Sequence, residues 1–346
     1  MDFCKVSIII VTYNSARYIR PLLASIVAQT EKSIEVIVVD NASQDETVAV
    51  LEKEYTQTVR VIKNPTNDWF SKGYNRGIRE SHGEYVLICN HDVILMPDFL
   101  EKLLQRIESD PKIACVGGKV LKFPQKDMEF TYDLARLNSL RGYFKIDTTG
   151  IQVFRNRRFI DRGESEEDRG QYNREEEVFG FSGALVLLRR AALETVKFEE
   201  EYFDEDMIAY KEDVDMAWRL RHAGFTVWYV AKALAYHNRR VSRDTGLGML
   251  ATIQNRRGKF HKDSFFSYKN HWHVLIKNDT FANFFKDSLF IFWYELRKFI
   301  YILCFEPHTL AAIPQFFREF PRMRKKRSVI FSNSKLSNAS IRRWFL

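Results

Sequence analysis

The sequence predicts an α/β fold: a mostly parallel central sheet with helices on both faces, followed by a helical C-terminal region. Three observations carry this expectation. Val6 to Val11, Ile34 to Val39 and Tyr85 to Leu95 are apolar runs, the last broken only by Asn90-His91-Asp92. Continuous runs of that length read as strands buried on both faces, as in a parallel sheet covered by helices. Between the first two, Ile19, Leu22, Leu23, Ile26 and Val27 recur at helical spacing, and residues 260 to 320 space their many phenylalanines in the same way.

Composition narrows the class. A chain of 346 residues with 45% hydrophobic and 28% charged content is ordinary for a globular protein and excludes disorder. The four cysteines, Cys4, Cys89, Cys115 and Cys304, have neither zinc spacing nor close pairing, which points to free thiols in a reducing compartment. Met1 to Lys5 leads straight into a strand without a signal-peptide pattern, so the protein is expected in the cytoplasm. Leu289 to Phe305 is interrupted by Glu295, Arg297 and Lys298, too polar for a membrane span.

The net charge of +8 is unevenly distributed: residues 161 to 177 hold eight acids against three arginines, whereas 318 to 327 hold six basic residues against Glu319 alone. Such polarity suits contact with an anionic surface. No reading motif for nucleic acid accompanies the basic run, and none is expected to bind.

In chain order, the first strand ends at Thr12-Tyr13-Asn14-Ser15, before a helix that carries Pro21 in its first turn. The second ends at Asp40-Asn41-Ala42-Ser43, where Ser43 and Glu46 have capping-box spacing. Asp40 and Asn41 lie at the carboxyl edge of a parallel strand, where ligands collect; a turn role is the alternative. After a third strand, Val59 to Ile62, the stretch from Asn64 to Gly77 contains Asn67, Gly73, Asn75 and Gly77. The glycines would let backbone approach a ligand closely, and the amides can donate and accept.

Asn90 and Asp92 close the central strand, oxygen side chains two residues apart that can face a hard cation. Phe99 to Ile107 reads as a scaffold helix and Ile113 to Val120 as a strand. Lys122 to Glu177 lacks periodicity and is read as an insertion or acceptor-side loops. Ala184 to Leu188 is strand-like. A helix from about Glu212 carries Val214, Trp218 and Leu220 on its apolar side, and Arg219 can pair with Asp215. Asp213 has an N-cap role as its structural alternative, and its place at a helix N-terminus is expected to lower its pKa. His237 follows the apolar strand that begins at Phe225, and both a structural and a ligand role are open to it.

Asn90-His91-Asp92, the run Asn67…Phe70…Gly73…Asn75…Gly77 and Glu212-Asp213-Val214-Asp215…Arg219 together resemble the inverting family-2 glycosyltransferases of the GT-A fold, in their rhamnosyltransferase-like branch. The resemblance covers roughly the first 240 residues. Trp69 departs from it where the family usually has glycine. It implies that Asp213, beside Glu212, is the catalytic base. Asp92 and His237 would hold Mn²⁺ or Mg²⁺ against the diphosphate of a nucleoside-diphosphate sugar, dTDP-rhamnose or a UDP-hexose. The substrate-binding set would be Thr12, Tyr13, Asn14, Asp40, Asn41, Asn67, Gly73, Asn75, Asn90 and Trp218. The acceptor would be a hydroxyl of a glycan or lipid-linked saccharide in surface polysaccharide synthesis.

The expected organisation is a catalytic domain over 1–245, divided into 1–121, 122–177 and 178–245. An aromatic-rich helical region over 246–327 and a mobile basic tail over 328–346 follow. Phe281, Phe284, Phe285, Phe292 and Trp293, with Arg322, Arg324, Lys325, Lys326 and Arg327 beyond them, resemble an interfacial anchor with basic flanks at the inner face of the cell membrane. The alternative function is a non-catalytic nucleotide- or glycan-binding protein at such a surface.

Overall fold

A computed structural model describes residues 4–123, 129–139, 141–239 and 261–346. Its centre is a sheet in which β1 (Val6–Thr12), β2 (Ile34–Asp40), β3 (Arg60–Lys63) and β4 (Tyr85–Asn90) run parallel, in the order β4-β1-β2-β3. In β1, Val6, Ile8 and Ile10 face one layer of helices, and Ile9 faces the other. Alternation along a doubly covered strand thus supplies two cores, and the expected mixed α/β architecture is what forms.

One core packs α1 (Ala16–Val27), α2 (Thr47–Glu54) and α4 (Phe99–Glu108); the other packs α3 (Trp69–Arg79), α6 (Arg190–Val196) and α7 (Glu212–His222), with the short α5 (Leu134–Ser139) lying outside both. The remaining principal strands are β5 (Val93–Leu95), β6 (Ile113–Lys122), β7 (Ile146–Thr148), β8 (Ile151–Val153), β9 (Phe159–Asp161), β10 (Glu176–Glu177), β11 (Leu185–Arg189) and β12 (Thr226–His237). β11 is antiparallel to both β4 and β6, so its beginning meets the carboxyl end of β4, where Asn90 N–H donates to Ala184 C=O at 2.8 Å.

Register places the site. Val11 pairs with Asn90 and Thr12 with Asp40, aligning the exits of β1, β2 and β4 on one edge. β12 runs parallel to β6 and antiparallel to β5, pairing His237 with Val93. Asn238 N–H then donates to Asp92 C=O at 2.8 Å. Strand pairing thereby brings Asp92 and His237, distant in sequence, onto one rim.

Several local expectations are corrected. The Ser43–Glu46 capping box does not form: α2 begins at Thr47, whose N–H donates to Asp45 Oδ1 at 3.0 Å, while Ser43 is drawn to Asp40. From Trp69 onward the glycine-bearing stretch is helical and forms α3. The spacing of Gly73 and Gly77 puts both on one helix face, where added Cβ atoms would lie 2.9 Å from Val11 and 2.3 Å from Ile9. Their close approach is to β1, not to a ligand.

Residues 122–177 contain α5 and β7 to β10 among the described residues. The expected boundary at 245 lies outside the described residues. Beyond it, helices span His261–Asn278, Phe281–Lys286, Ser288–Phe305, Ala312–Ser332 and Asn338–Arg342. The tail expected to be mobile is docked: Ile341 is fully buried, Arg155 N–H donates to Leu346 C=O at 2.8 Å, and Leu346 N–H to Val153 C=O at 3.1 Å. A short apolar end with an open strand edge to pair with offsets the entropy of ordering it.

Candidate active site

Asp92 and Asp213 line one cleft of about 470 Å³ at the carboxyl edge of the sheet. Asp92 follows β4 and Asp213 opens α7, so the two carboxylates reach the cleft from different elements. Tyr13, Asn90, Glu212 and His237 also line it. The turn before β11 contributes Ser182 and Gly183; a Cβ on Gly183 would sit 2.8 Å from Phe70, so only glycine lets the turn approach that ring.

Asp92 is buried, and its Oδ1 makes no hydrogen bond of good geometry among the described residues. The Nε2 of His237 stands 3.2 Å from that oxygen, and its Nδ1 lies 2.8 Å from Asp147 Oδ2. Burial alone would push the His237 imidazole down, but the carboxylates of Asp92 and Asp147 pull its pKa up to about 10. Burial opposes charge on Asp147 too, yet His237 and Arg239 hold it at about 2.

A buried carboxylate oxygen with no hydrogen bond beside an imidazole nitrogen, with a second carboxylate behind the imidazole, is a donor set that fits a divalent ion. An octahedral Mg²⁺-sized ion with ligands at about 2.1 Å spaces them about 3 Å apart, close to the separation found. No cluster of three or more His, Cys, Asp or Glu ligands converges among the described residues. Asp92 and His237 would therefore hold an ion together with substrate oxygens and water, the usual state of Mg²⁺-like sites.

Asp213 Oδ1 accepts from Val214 N–H at 2.7 Å and Oδ2 from Gly183 N–H at 3.2 Å. An acid in the first turn of a helix should be acidified by the dipole. Here burial outweighs dipole and hydrogen bonds, and Asp213 is raised above its ordinary value despite Lys211, with Asp161 adding to the rise. Glu212, buried with Oε2 unpartnered among the described residues, is raised well above its usual range by burial and then by the charge of Asp213. Both acids are therefore raised, Glu212 the more strongly, and Asp213 is held at the cleft wall by the Val214 and Gly183 N–H groups.

Asn90 lines the cleft with Tyr74 OH 3.3 Å from its Oδ1, and Tyr13 is half exposed there. The other expected substrate residues are engaged elsewhere. Asp40 is buried and accepts from Thr12 Oγ1 at 2.9 Å and from Ser43 N–H at 2.9 Å. Asn14 Oδ1 accepts from Gln44 N–H at 2.7 Å.

Asn41 bridges Trp69 C=O and Asn64, and Asn67 Oδ1 accepts from Trp69 N–H at 2.9 Å. Asn75 is fully buried, exchanging 2.8 Å hydrogen bonds with both backbone groups of Phe203. Trp218 sits in an aromatic core with Phe159, Phe179 and Phe345, behind the Phe159 wall of the cleft and without lining it. On α3, Asn75 is turned toward the backbone at Phe203, and on α7, Trp218 is turned toward the C-terminal helices.

Sequence reasoning missed Asp147, Asp161 and Arg239. Arg239 lines the cleft and bonds Asp161 at 2.9 Å and Asp147 at 3.2 Å. No periodicity in 122–177 marks these acids. The four-residue glycine spacing of α3, by contrast, was a readable sign of helix packing.

The acidic run Asp204-Glu205-Asp206 is structural in part. Fully buried Asp204 pairs with Lys277 and Lys326, and Lys277 also reaches Asp215 at 2.8 Å. Arg219 bonds Asp215 at 2.9 Å, the pairing expected four residues apart. Of the basic cluster, Lys326 and Arg327 are thus turned inward, Arg327 donating to the carbonyls of Ile276 and Asp279 at 2.7 Å.

Residues 7–197, just over half of the chain, match the family described as Glycosyl transferase family 2. An uncharacterized glycosyltransferase of Haemophilus influenzae is 39% identical over 107 residues, 31% of this chain and 36% of that protein. The match thus spans about a third of that relative's length. The N-acetylglucosaminyl-diphospho-decaprenol L-rhamnosyltransferase of Mycobacterium tuberculosis is 26% identical over 249 residues, 67% of this chain and 75% of that protein. Among solved structures, GalNAc-T7 with UDP, GalNAc and Mn2+ superposes with a TM-score of 0.56 at 14% identity, over 80% of this chain and 48% of that one. The shared architecture is the GT-A fold.

Proposed function

The chain belongs to glycosyl transferase family 2, and from that premise we propose that it moves a sugar from a nucleoside-diphosphate sugar to a hydroxyl of a glycan or lipid-linked saccharide, with inversion at the anomeric carbon. The observation that carries this reading is the shared cleft of Asp92 and Asp213. Asp213 takes the acceptor proton as the hydroxyl oxygen attacks; its raised pKa makes it a better base than an ordinary aspartate. Asp92 and His237 would hold Mn²⁺ or Mg²⁺, which would supply neutralising charge to the diphosphate leaving group. Asn90 and Tyr13 orient the donor from the sheet edge.

A deoxyhexose such as rhamnose is the donor sugar favoured by the mycobacterial relative's activity. A cleft that only bound nucleotide would have no use for a second buried carboxylate, Asp213, apart from Asp92, which disfavours the non-catalytic reading. Thermal shift and nucleoside-diphosphate release across a panel of UDP-, GDP- and dTDP-sugars, with and without Mn²⁺, test the proposal. A folded protein that neither binds nor turns over any of them contradicts it.

An exposed apolar face on the C-terminal helices supports contact with an anionic membrane surface. In the helix Ser288–Phe305, Glu295 is turned inward, 2.9 Å from His271, while Leu289, Phe292, Trp293, Ile300 and Leu303 are exposed. This reverses the usual polarity of a water-facing helix. Phe281, Phe285 and Phe317 extend the apolar face, and Arg322 and Lys325 stay exposed on the helix Ala312–Ser332. Among the described residues no helix is long and apolar enough to cross a membrane, so the contact proposed is lateral.

A further inference from the structure

Three of the four residues leading into α7 hold backbone conformations that residues with side chains avoid: Ile208 has φ 66°, Tyr210 φ 71° and Lys211 φ 73°. Such conformations persist only where the surroundings over-determine them. This segment forms cleft wall, since Ala209, Tyr210 and Lys211 line it and Glu212 and Asp213 follow at once.

The restraint comes from outside the segment. Asn270, fully buried on the helix His261–Asn278, donates from Nδ2 to the carbonyls of Met207 at 2.7 Å, Ala209 at 2.8 Å and Tyr210 at 2.8 Å. Its two hydrogens serve three acceptors. Lys269 Nζ donates to Asp206 C=O at 2.7 Å, and Ser71 N–H to Ile208 C=O at 3.1 Å. Every carbonyl from 206 to 210 is thereby held by a group elsewhere in the chain. The Oδ1 of Asn270 has no hydrogen-bond partner among the described residues, so this amide serves the segment as a donor.

We infer that Asn270 is a positioning residue for sugar transfer, fixing the strained backbone from which Asp213 reaches into the cleft. The C-terminal helices then belong to the catalytic apparatus as well as to the packing. This rests on the reading of Asp213 as the base. An amide that merely stabilised the fold would lower the melting temperature and leave chemistry in the folded protein unchanged. A positioning amide affects the chemical step while donor binding persists.

The test compares wild type, Asn270→Ala, Asn270→Asp and Asp213→Asn. Turnover of dTDP-rhamnose and UDP-GlcNAc, calorimetric binding of dTDP and UDP with Mn²⁺, and backbone hydrogen exchange are read for each. Asn270→Ala should lower kcat on the order of 10²-fold, the usual effect of misplacing a reacting group by about 1 Å. Nucleotide binding should stay within about twofold, and exchange should quicken at 207–213 while the sheet keeps its protection. Asn270→Asp, the same shape with acceptors facing carbonyls, should be at least as impaired at neutral pH.

Wild-type-like kcat in Asn270→Ala overturns the inference, as does faster exchange spread evenly over the chain with equal loss of binding and turnover. Retained turnover in Asp213→Asn would instead overturn the reading of the base. In that case fast exchange confined to 207–213 in Asn270→Ala still supports the clamp on the backbone, and its spread over the whole chain refutes it.

Discussion

The Nδ1 of His237 lies 2.8 Å from Oδ2 of Asp147, and this contact turns the other ring nitrogen toward Asp92. With an ion held at Nε2, the imidazole is neutral and its Nδ1–H donates to Asp147, the arrangement that raises ligand basicity in many metal sites. Asp147→Asn should weaken Mn²⁺ binding by about 10–100-fold. Manganese paramagnetic resonance titrations in the presence of UDP read this directly. An unchanged affinity would remove Asp147 from the metal's support.

Replacing Asp213 by Asn should reduce turnover by about 10²–10⁴-fold, the usual contribution of a general base. Nucleotide affinity should be retained. Because burial raises Asp213, the acid limb of the wild-type rate profile should lie above the ordinary aspartate range of about 3.9. An acid limb at or below that value would mean that another group titrates.

Glu212 makes a separate prediction about stability. Its folded-state pKa is raised above its unfolded value, so the native state binds the proton more tightly than the unfolded chain does. Its contribution is fully present below the unfolded pKa and is lost as pH rises through the folded one. Wild type should therefore lose stability relative to Glu212→Gln as the pH is raised from about 5 to about 9. Thermal melts of the two proteins that keep a constant difference over that range would rule this out.

Arg157 is fully buried and bonds Asp279 at 2.7 Å and Asp287 at 3.0 Å; Asp287 also takes Arg155 at 3.1 Å and Arg342 at 3.0 Å. Asp287→Ala should destabilise the fold by about 3–5 kcal/mol, because it removes one of the two carboxylates on buried Arg157 and at the same time the partner of Arg155 and Arg342. Denaturant unfolding checks this. A loss below about 1 kcal/mol would show that Asp279 alone suffices.

Trp293→Ser combined with Phe292→Ser should lower partition onto vesicles containing anionic lipid by at least about tenfold. Burying one aromatic side chain is worth about 1.5–3 kcal/mol, and about 1.4 kcal/mol is a factor of ten. Equal sedimentation of variant and wild type with those vesicles would exclude this face. Salt should weaken the remaining attraction.

The sequence revealed some of this better than the rest, for physical reasons. Asn90 and Asp92 stood out because an apolar strand ends there and strand ends form the ligand edge. Asp213 stood out through a residue pattern, and its environment was misjudged because helix position is local while burial is not. Asp40, Asn41, Asn75 and Trp218 were of the right chemical kind. Whether such a side chain faces a ligand or a protein partner depends on how the end of β2 meets its neighbouring loops and on the phase of α3 and α7 against the rest of the fold, which no single stretch encodes. Asp147 and Asn270 were hidden for the same reason: their partners lie 90 and about 60 residues away and meet them only after folding.

Lys277 has a practical meaning for anyone who would divide this protein. Asp204 finds both of its countercharges, Lys277 and Lys326, on helices beyond residue 260. A fragment stopping near 239 would strip Asp204 of its lysines and uncover the apolar faces of Phe179, Met207 and Trp218 that those helices and the tail cover, and should be recovered insoluble. Chimeras that exchange C-terminal halves between relatives would need to transplant matching lysines with them, whatever lipid or glycan preference the exchange was meant to alter.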